Sequence, residues 1–257
     1  MSAAAQSPAT RGLIVSNLRK AFGGVHAVDG VSFELPPGRL LALIGPNGAG
    51  KTTCFNLLNG QLEADSGSVR FNDIELVGLS PHQIWHHGIG RTFQITATFA
   101  TMTVRENVQM ALMSRRGLLY SLVRRASKIF VEEANNLLER VGIAEHAQRP
   151  CGVLAYGDLK RVELCVALAN DPSLLLMDEP TAGMAASERH SLMALVTDIV
   201  TRDRISVLFT EHDMDTVFGH AEHVLVLAAG KLIADGTPDE VRNDAEVKAI
   251  YLGSDKL

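Results

Sequence analysis

The chain has 257 residues, 46% hydrophobic and 21% charged, with 24 Lys and Arg against 29 Asp and Glu for a net charge of −5. That length and apolar content suit one large domain with a sizeable core and exclude intrinsic disorder, while the acidic balance argues against general nucleic-acid binding, which leaves a basic footprint. No strictly apolar run exceeds six residues, as in Val224 to Ala229, far short of the roughly 18 needed to span a bilayer.

Residues 1–10 are small and polar and read as a flexible leader with no secretory signal, leaving 11–257 as a single domain. Val31-Ser-Phe-Glu-Leu35 and Ser68-Val-Arg-Phe71 alternate apolar and polar, which predicts half-exposed antiparallel strands. Between them Leu40-Leu-Ala-Leu-Ile44 is continuously apolar and bounded by Gly38 and Gly45, the signature of a strand buried on both faces. Thr53 to Leu58 reads as a helix ended by Asn59-Gly60. From about 96 to 169 alternation disappears and the chain reads as an inserted helical lobe, clearest in Val131 to Val141 before Gly142. Leu174-Leu-Leu-Met177 and Val207-Leu-Phe209 are again buried strands, and Leu192, Leu195, Val196 and Ile199 between them form one helical stripe, so the three make a βαβ unit. Thr237-Pro-Asp-Glu240 places an N-cap, a first-turn Pro and a Glu at N3 for a last short helix.

The segment Gly45-Pro46-Asn47-Gly48-Ala49-Gly50-Lys51-Thr52 fits G-x-x-x-x-G-K-[ST] in full, between a buried strand and a helix. Glycines let successive backbone N–H groups turn inward around phosphate oxygens, and the helix start, with Thr53 in its first turn, adds its positive end. Lys51 is placed to reach the β- and γ-phosphates, and Thr52 to hold Mg²⁺. The apolar strand Leu174 to Met177 ends in Asp178, suited to Mg²⁺ through water, and Glu179 follows it, suited to polarise an attacking water. The fold expected is α/β: a P-loop NTPase core with a mainly parallel sheet, an N-terminal antiparallel β subdomain and an inserted α-helical subdomain.

With these motifs in place the chain resembles the ATP-binding-cassette ATPases over roughly residues 12 to 253, and the family's parts occur in its order. The resemblance implies ATP as the nucleotide. It also implies Phe22 in Lys20-Ala-Phe-Gly-Gly24 as the platform stacking on adenine, and Gln94 in Arg91-Thr-Phe-Gln94 as the glutamine that senses γ-phosphate and Mg²⁺. Leu154-Ala-Tyr-Gly-Asp158 stands as the signature motif, Ala182-Gly-Met-Ala185 as the D-loop and His212 as the switch histidine. Ala155 and Gly157 would then act on the nucleotide of a second ATPase subunit, identical or paralogous, in a head-to-tail dimer. Within the family the chain is most similar to the ATPase subunits of branched-chain amino-acid and related polar-solute importers, through Gly90-Arg-Thr-Phe-Gln94, Leu-Ala-Tyr-Gly, Glu211-His-Asp-Met214 and Tyr251-Leu-Gly253.

Three positions depart from the family pattern: Ala155 replaces the signature serine, Tyr156 its first glycine, and Ala185 the usual polar D-loop residue. The last puts side-chain communication between sites in doubt. A family member working on nucleic acid or the ribosome is the alternative. DNA-repair relatives carry long coiled-coil or zinc-bearing insertions, whereas only 106 positions separate Lys51 from Gly157. The resemblance implies a cytoplasmic protein, peripheral on the inner face of the membrane, with transmembrane permease subunits as partners, a solute-binding protein indirectly, and no nucleic acid. Three cysteines without CxxC spacing, Cys54, Cys151 and Cys165, point to a reducing compartment. Cys54, inside the helix after the glycine-rich loop, reads as a small packing residue rather than a nucleophile, although its closeness to the phosphates leaves alkylation there as a route to inactivation. His86-His87 and His220-x-x-His223 read as polar surface histidines rather than metal ligands, and the stretch from Arg115 to Lys128 as a solvated helix face or, alternatively, a surface that meets a membrane subunit or anionic headgroups.

Overall fold

Two sheets organise the computed structural model, which describes residues 12–92, 98–118 and 129–252; the leader read over 1–10 lies outside them. Strands β1 (Leu13–Phe22) and β2 (Val25–Leu35) form an antiparallel hairpin. Strand β3 (Leu40–Ile44) leads into helix α1 (Lys51–Leu58), and β4 (Ser66–Phe71) returns to pair antiparallel with β1, followed by the short β5 (Ile74–Glu75). Val31, Phe33, Leu35, Val69 and Phe71 are buried while Ser32, Glu34 and Arg70 face outward, so the alternation is that of strands with one covered face.

Helix α2 (Pro81–His86) and strand β6 (Ile89–Thr92) precede three helices, α3 (Val104–Arg115), α4 (Val131–Arg140) and α5 (Tyr156–Leu168). Strand β7 (Leu174–Asp178), helix α6 (Ala186–Asp203) and strand β8 (Ser206–Thr210) make the βαβ unit, with β7 and β8 parallel. Helix α7 (Met214–His220) leads to β9 (His223–Ala228), β10 (Lys231–Gly236) turns back against it, and α8 (Pro238–Asn243) and α9 (Ala245–Leu252) complete the described chain. The second sheet runs β10-β9-β3-β8-β7-β6, parallel except for β10.

The continuous apolar runs follow from that sheet being covered on both faces. Leu40, Ala42, Ile44, Leu175, Met177, Val207 and Phe209 join the core shared with α3 to α6. Their alternates Leu41, Leu43, Leu174, Leu176 and Leu208 join the core shared with α1 and the antiparallel sheet. Helix starts are specified locally: Ser80 with Gln83, Thr103 with Glu106 and Thr237 with Glu240 form reciprocal capping boxes.

Candidate active site

The parallel register brings the expected chemistry to one edge of the sheet. Leu43 lies opposite Thr210, and Thr210 opposite Asp178, so the loop after β3 and the ends of β8 and β7 are neighbours. Backbone packs tightly around that loop. A Cβ on Gly45 would lie 2.1 Å from the Leu227 carbonyl oxygen, and one on Gly50, where φ is +104°, 2.1 Å from that of Ala27. Glycine is required at both positions by contact as well as by conformation. The loop is braced from the far end of the chain: the Gly230 N–H donates to the Ala49 carbonyl (3.0 Å), and the Asp29 N–H to that of Gly230 (2.8 Å). Pro46 is half-buried, Asn47 and Gly48 are exposed, and Thr52 is exposed at the start of α1 beside half-buried Thr53. Lys51 Nζ donates to the carbonyls of Gly45 (2.7 Å) and Pro46 (3.2 Å). Burial pulls its pKa below the ordinary lysine value, opposed by the charges of Glu179 and Asp178.

Asp178 is 6% exposed. Its Oδ1 accepts from the Thr210 hydroxyl (2.8 Å) and its Oδ2 from Arg91 Nη2 (3.3 Å). The Glu179 N–H donates back to Thr210 Oγ1 (3.0 Å), and Glu179 sits at φ +49°, a left-handed conformation uncommon for a residue with a side chain and typical of functional sites. His212 Nε2 lies 2.7 Å from Glu179 Oε1. The backbone of His212 is held in turn: Glu211 Oε2 accepts its N–H (3.2 Å), while Glu211 Oε1 accepts from the N–H (2.9 Å) and hydroxyl (2.5 Å) of Thr181.

The donor set suits Mg²⁺. Asp178 offers a carboxylate and Thr52 a hydroxyl, both hard oxygen donors. Mg²⁺ favours such a sparse set because it keeps waters and substrate phosphate oxygens as its other ligands.

The remaining expected residues lie around this edge. Phe22 ends β1 at the hairpin tip, 47% exposed, with Lys20 Nζ 5.7 Å from its ring centre. Ala155 is the N-cap of α5 and makes no side-chain cap. A Cβ on Gly157 would meet Glu188 and Met184, so the signature start packs against the D-loop segment. The Ala185 N–H reaches Glu188 Oε2 at 3.3 Å. Gln94 lies outside the described residues, as do Arg124, Arg125 and Lys128 of the basic stretch. Arg115 and Arg116 are paired with Asp171 and Glu133. His86 stands 3.2 Å from His82, and His220 3.4 Å from His190.

Cys54 is the packing residue expected, fully buried in α1, and burial pushes its thiol up to about 12, which disfavours the alkylation route by suppressing the thiolate. The sequence reading also missed Thr210, Glu211 and Thr181 as partners. Thr210-Glu211 directly before His212 was the visible signal, but polar residues at a strand end acquire meaning only once the neighbouring strand is known.

Comparison with known proteins accords with this geometry. A family described as "ABC transporter" matches residues 28–182, and one described as "Branched-chain amino acid ATP-binding cassette transporter" matches 231–256. The chain is 39% identical over 248 residues to the high-affinity branched-chain amino acid transport ATP-binding protein LivG of Escherichia coli (strain K12), covering 94% of this chain and 97% of that one. It is 38% identical, with the same coverage, to BraF of Pseudomonas aeruginosa, which carries the same description. Among solved structures it is similar to a nucleotide-free ATP-binding cassette from an ABC transporter, at TM-score 0.83 and 32% identity over 93% of this chain and 98% of that one. A cassette in its ADP conformation gives TM-score 0.84 and 33% identity over 95% and 99%.

Proposed function

Because this chain belongs to the ATP-binding-cassette transporter family and is therefore an ATPase, we propose that it drives an importer of branched-chain amino acids or a related polar solute. The observation that carries the chemistry is the Glu179–His212 pair at 2.7 Å, beside Asp178 and the loop that holds Lys51. The substrate class is supported by the family match over residues 231–256 and by the LivG and BraF relatives. The same relatives, with the acidic net charge, leave a nucleic-acid or ribosome role unfavoured.

In this reading the loop amides from Gly45 to Thr53 bind the phosphates, Phe22 stacks on adenine, and Lys51 turns from the loop carbonyls to the β/γ oxygens. Thr52 and Asp178, with Gln94 by resemblance, would hold Mg²⁺, which would supply charge neutralisation on the phosphate oxygens. Glu179 orients a water and takes its proton as the water oxygen attacks the γ-phosphorus and ADP leaves. His212 orients the Glu179 carboxylate and faces the γ-phosphate. Ala155 and Gly157 close the nucleotide of a second ATPase subunit, and the pair works on transmembrane permease subunits supplied by a solute-binding protein. No helix among the described residues is long and apolar enough to cross a membrane, so on this reading the pathway belongs to those partners and the chain is peripheral on the cytoplasmic face.

Glu179→Gln tests the assignment, because a carboxamide cannot accept the proton. ATP binding is retained, single-turnover hydrolysis falls by about 10²–10⁴-fold, and ATP shifts the variant from monomer to dimer in light scattering. Near-normal hydrolysis removes Glu179 from the catalytic role, and a dimer indifferent to ATP removes the closed sandwich.

A further inference from the structure

A carboxylate as buried as Asp178 needs a countercharge, since an unpaired charge in the interior is strongly unfavourable. Arg91 supplies one. Its Nη2 is 3.3 Å from Asp178 Oδ2, and the two side chains are 11% and 8% exposed. The same guanidinium is fixed from its other side: Nη1 donates to Asn56 Oδ1 in α1 and to Gln61 Oε1 just beyond it, both at 2.9 Å. One side chain therefore joins β6, which leads toward Gln94, to the end of β7 and to the helix that begins at Lys51. Arginine suits this place because its rigid fork serves several acceptors at once, which a lysine ammonium on a flexible stem does not.

We propose that Arg91 is the standing counter-cation of Asp178, a positioning residue that compensates the carboxylate before nucleotide binds and shares that task with Mg²⁺ afterwards. The proposal rests on the ATPase reading of the site. Two cations that compensate one carboxylate are partly redundant, so each contributes less when the other is present. By linkage, a chain lacking the guanidinium gains more from Mg·ATP than the wild type does. A residue that only fastens α1 to β6 contributes equally whether or not Mg·ATP is bound.

Thermal unfolding of the full chain separates the two. The wild type, Arg91→Met, Arg91→Lys and Asn56→Ala are compared, all in a Glu179→Gln background so that ATP persists. Each is measured in EDTA, in ATP with EDTA, and in ATP with Mg²⁺. Arg91→Met should show a Tm deficit on the order of 5–10 °C in EDTA. That deficit should shrink by about half or more with Mg·ATP and stay unshrunk with ATP in EDTA. Arg91→Lys keeps the charge, and Asn56→Ala keeps the Arg91–Asp178 pair, so their deficits should be the same in all three conditions. If Arg91→Met fails to fold, Arg91→Gln takes its place in the same comparison. An Arg91→Met deficit equal in the three conditions overturns the proposal in favour of a plain fastening role. A deficit that grows with Mg·ATP overturns it in favour of Arg91 being needed to build the Mg²⁺ site. If Mg·ATP fails to raise the wild-type Tm, the nucleotide reading itself fails, and the proposal falls with it.

Discussion

Cys54 lies one turn into the helix that opens at Lys51, yet its thiol is sealed. Burial raises the thiols of all three cysteines, Cys54 to about 12, with Cys151 and Cys165 also raised. The native protein should therefore label far more slowly with a thiol reagent at pH 8 than the unfolded chain, whose thiols ionise near 8.5, and going to pH 9 should raise the native rate by up to about tenfold against about threefold for the unfolded chain. Fast modification of one native thiol, with loss of ATP binding, would restore the alkylation route that the sequence suggested. At this scale the sequence is most legible where chemistry is done by consecutive backbone groups, as in Gly45 to Thr52. It is least legible where a side chain acts through a partner on another strand. Arg91 stood out only as part of a subfamily motif, because its partners Asn56, Gln61 and Asp178 are assembled by the fold.

The elements were readable in proportion to how clean their periodicity is. Strands β3, β7 and β8 and the stripe of α6 follow directly from their apolar patterns. Strand β1 does not, since register shifts around Asn17, at φ +48°, break its alternation. Strand β6 has four residues, among them Gly90 and Arg91, and its polar side chain points to a structural neighbour rather than to solvent. Helix starts carry a pH dependence of their own. Glu106 accepts the N–H (2.8 Å) and hydroxyl (2.9 Å) of Thr103, which hold its pKa below the ordinary 4.5. A depressed carboxylate contributes its stability above the ordinary value and loses it as pH falls through the lowered one. Glu106→Ala should thus destabilise the protein by about 0.5–1 kcal/mol at pH 7, and the gap to wild type should close as pH drops below 4.5. A gap constant from pH 7 to pH 3 in chemical denaturation would show that the carboxylate does not act as the cap.

For the whole molecule, what matters is how the nucleotide edge reaches its partners. Phe99 is 57% exposed, so its ring stands outside the core of the helical lobe. Its backbone is fixed, because the Phe99 N–H donates to Asn107 Oδ1 (2.8 Å) and Asn107 Nδ2 returns to the Phe99 carbonyl (3.2 Å). A large apolar ring held outward on a rigid turn is the kind of feature a permease helix could use. Phe99→Asp should leave Tm and ATP binding of the isolated chain within error while weakening assembly with the permease or uncoupling hydrolysis from transport. Loss of folding would return Phe99 to the core, and unchanged transport would move the docking surface elsewhere.

The bracing of the phosphate loop also fixes when, during synthesis, that loop can form. Strand β3 pairs only with β8 and β9, so Leu41 waits for Leu208 and His223, and the loop's Ala49 waits for Gly230. A nascent chain that has emerged as far as residue 200 already carries the entire loop motif together with Asp178 and Glu179, yet neither β8 and β9 nor Gly230. At about 5–20 residues per second, several seconds of translation separate spelling the motif from being able to use it. Throughout that interval β3 lacks both strands that flank it in the folded chain, and the loop after it lacks the Gly230 brace.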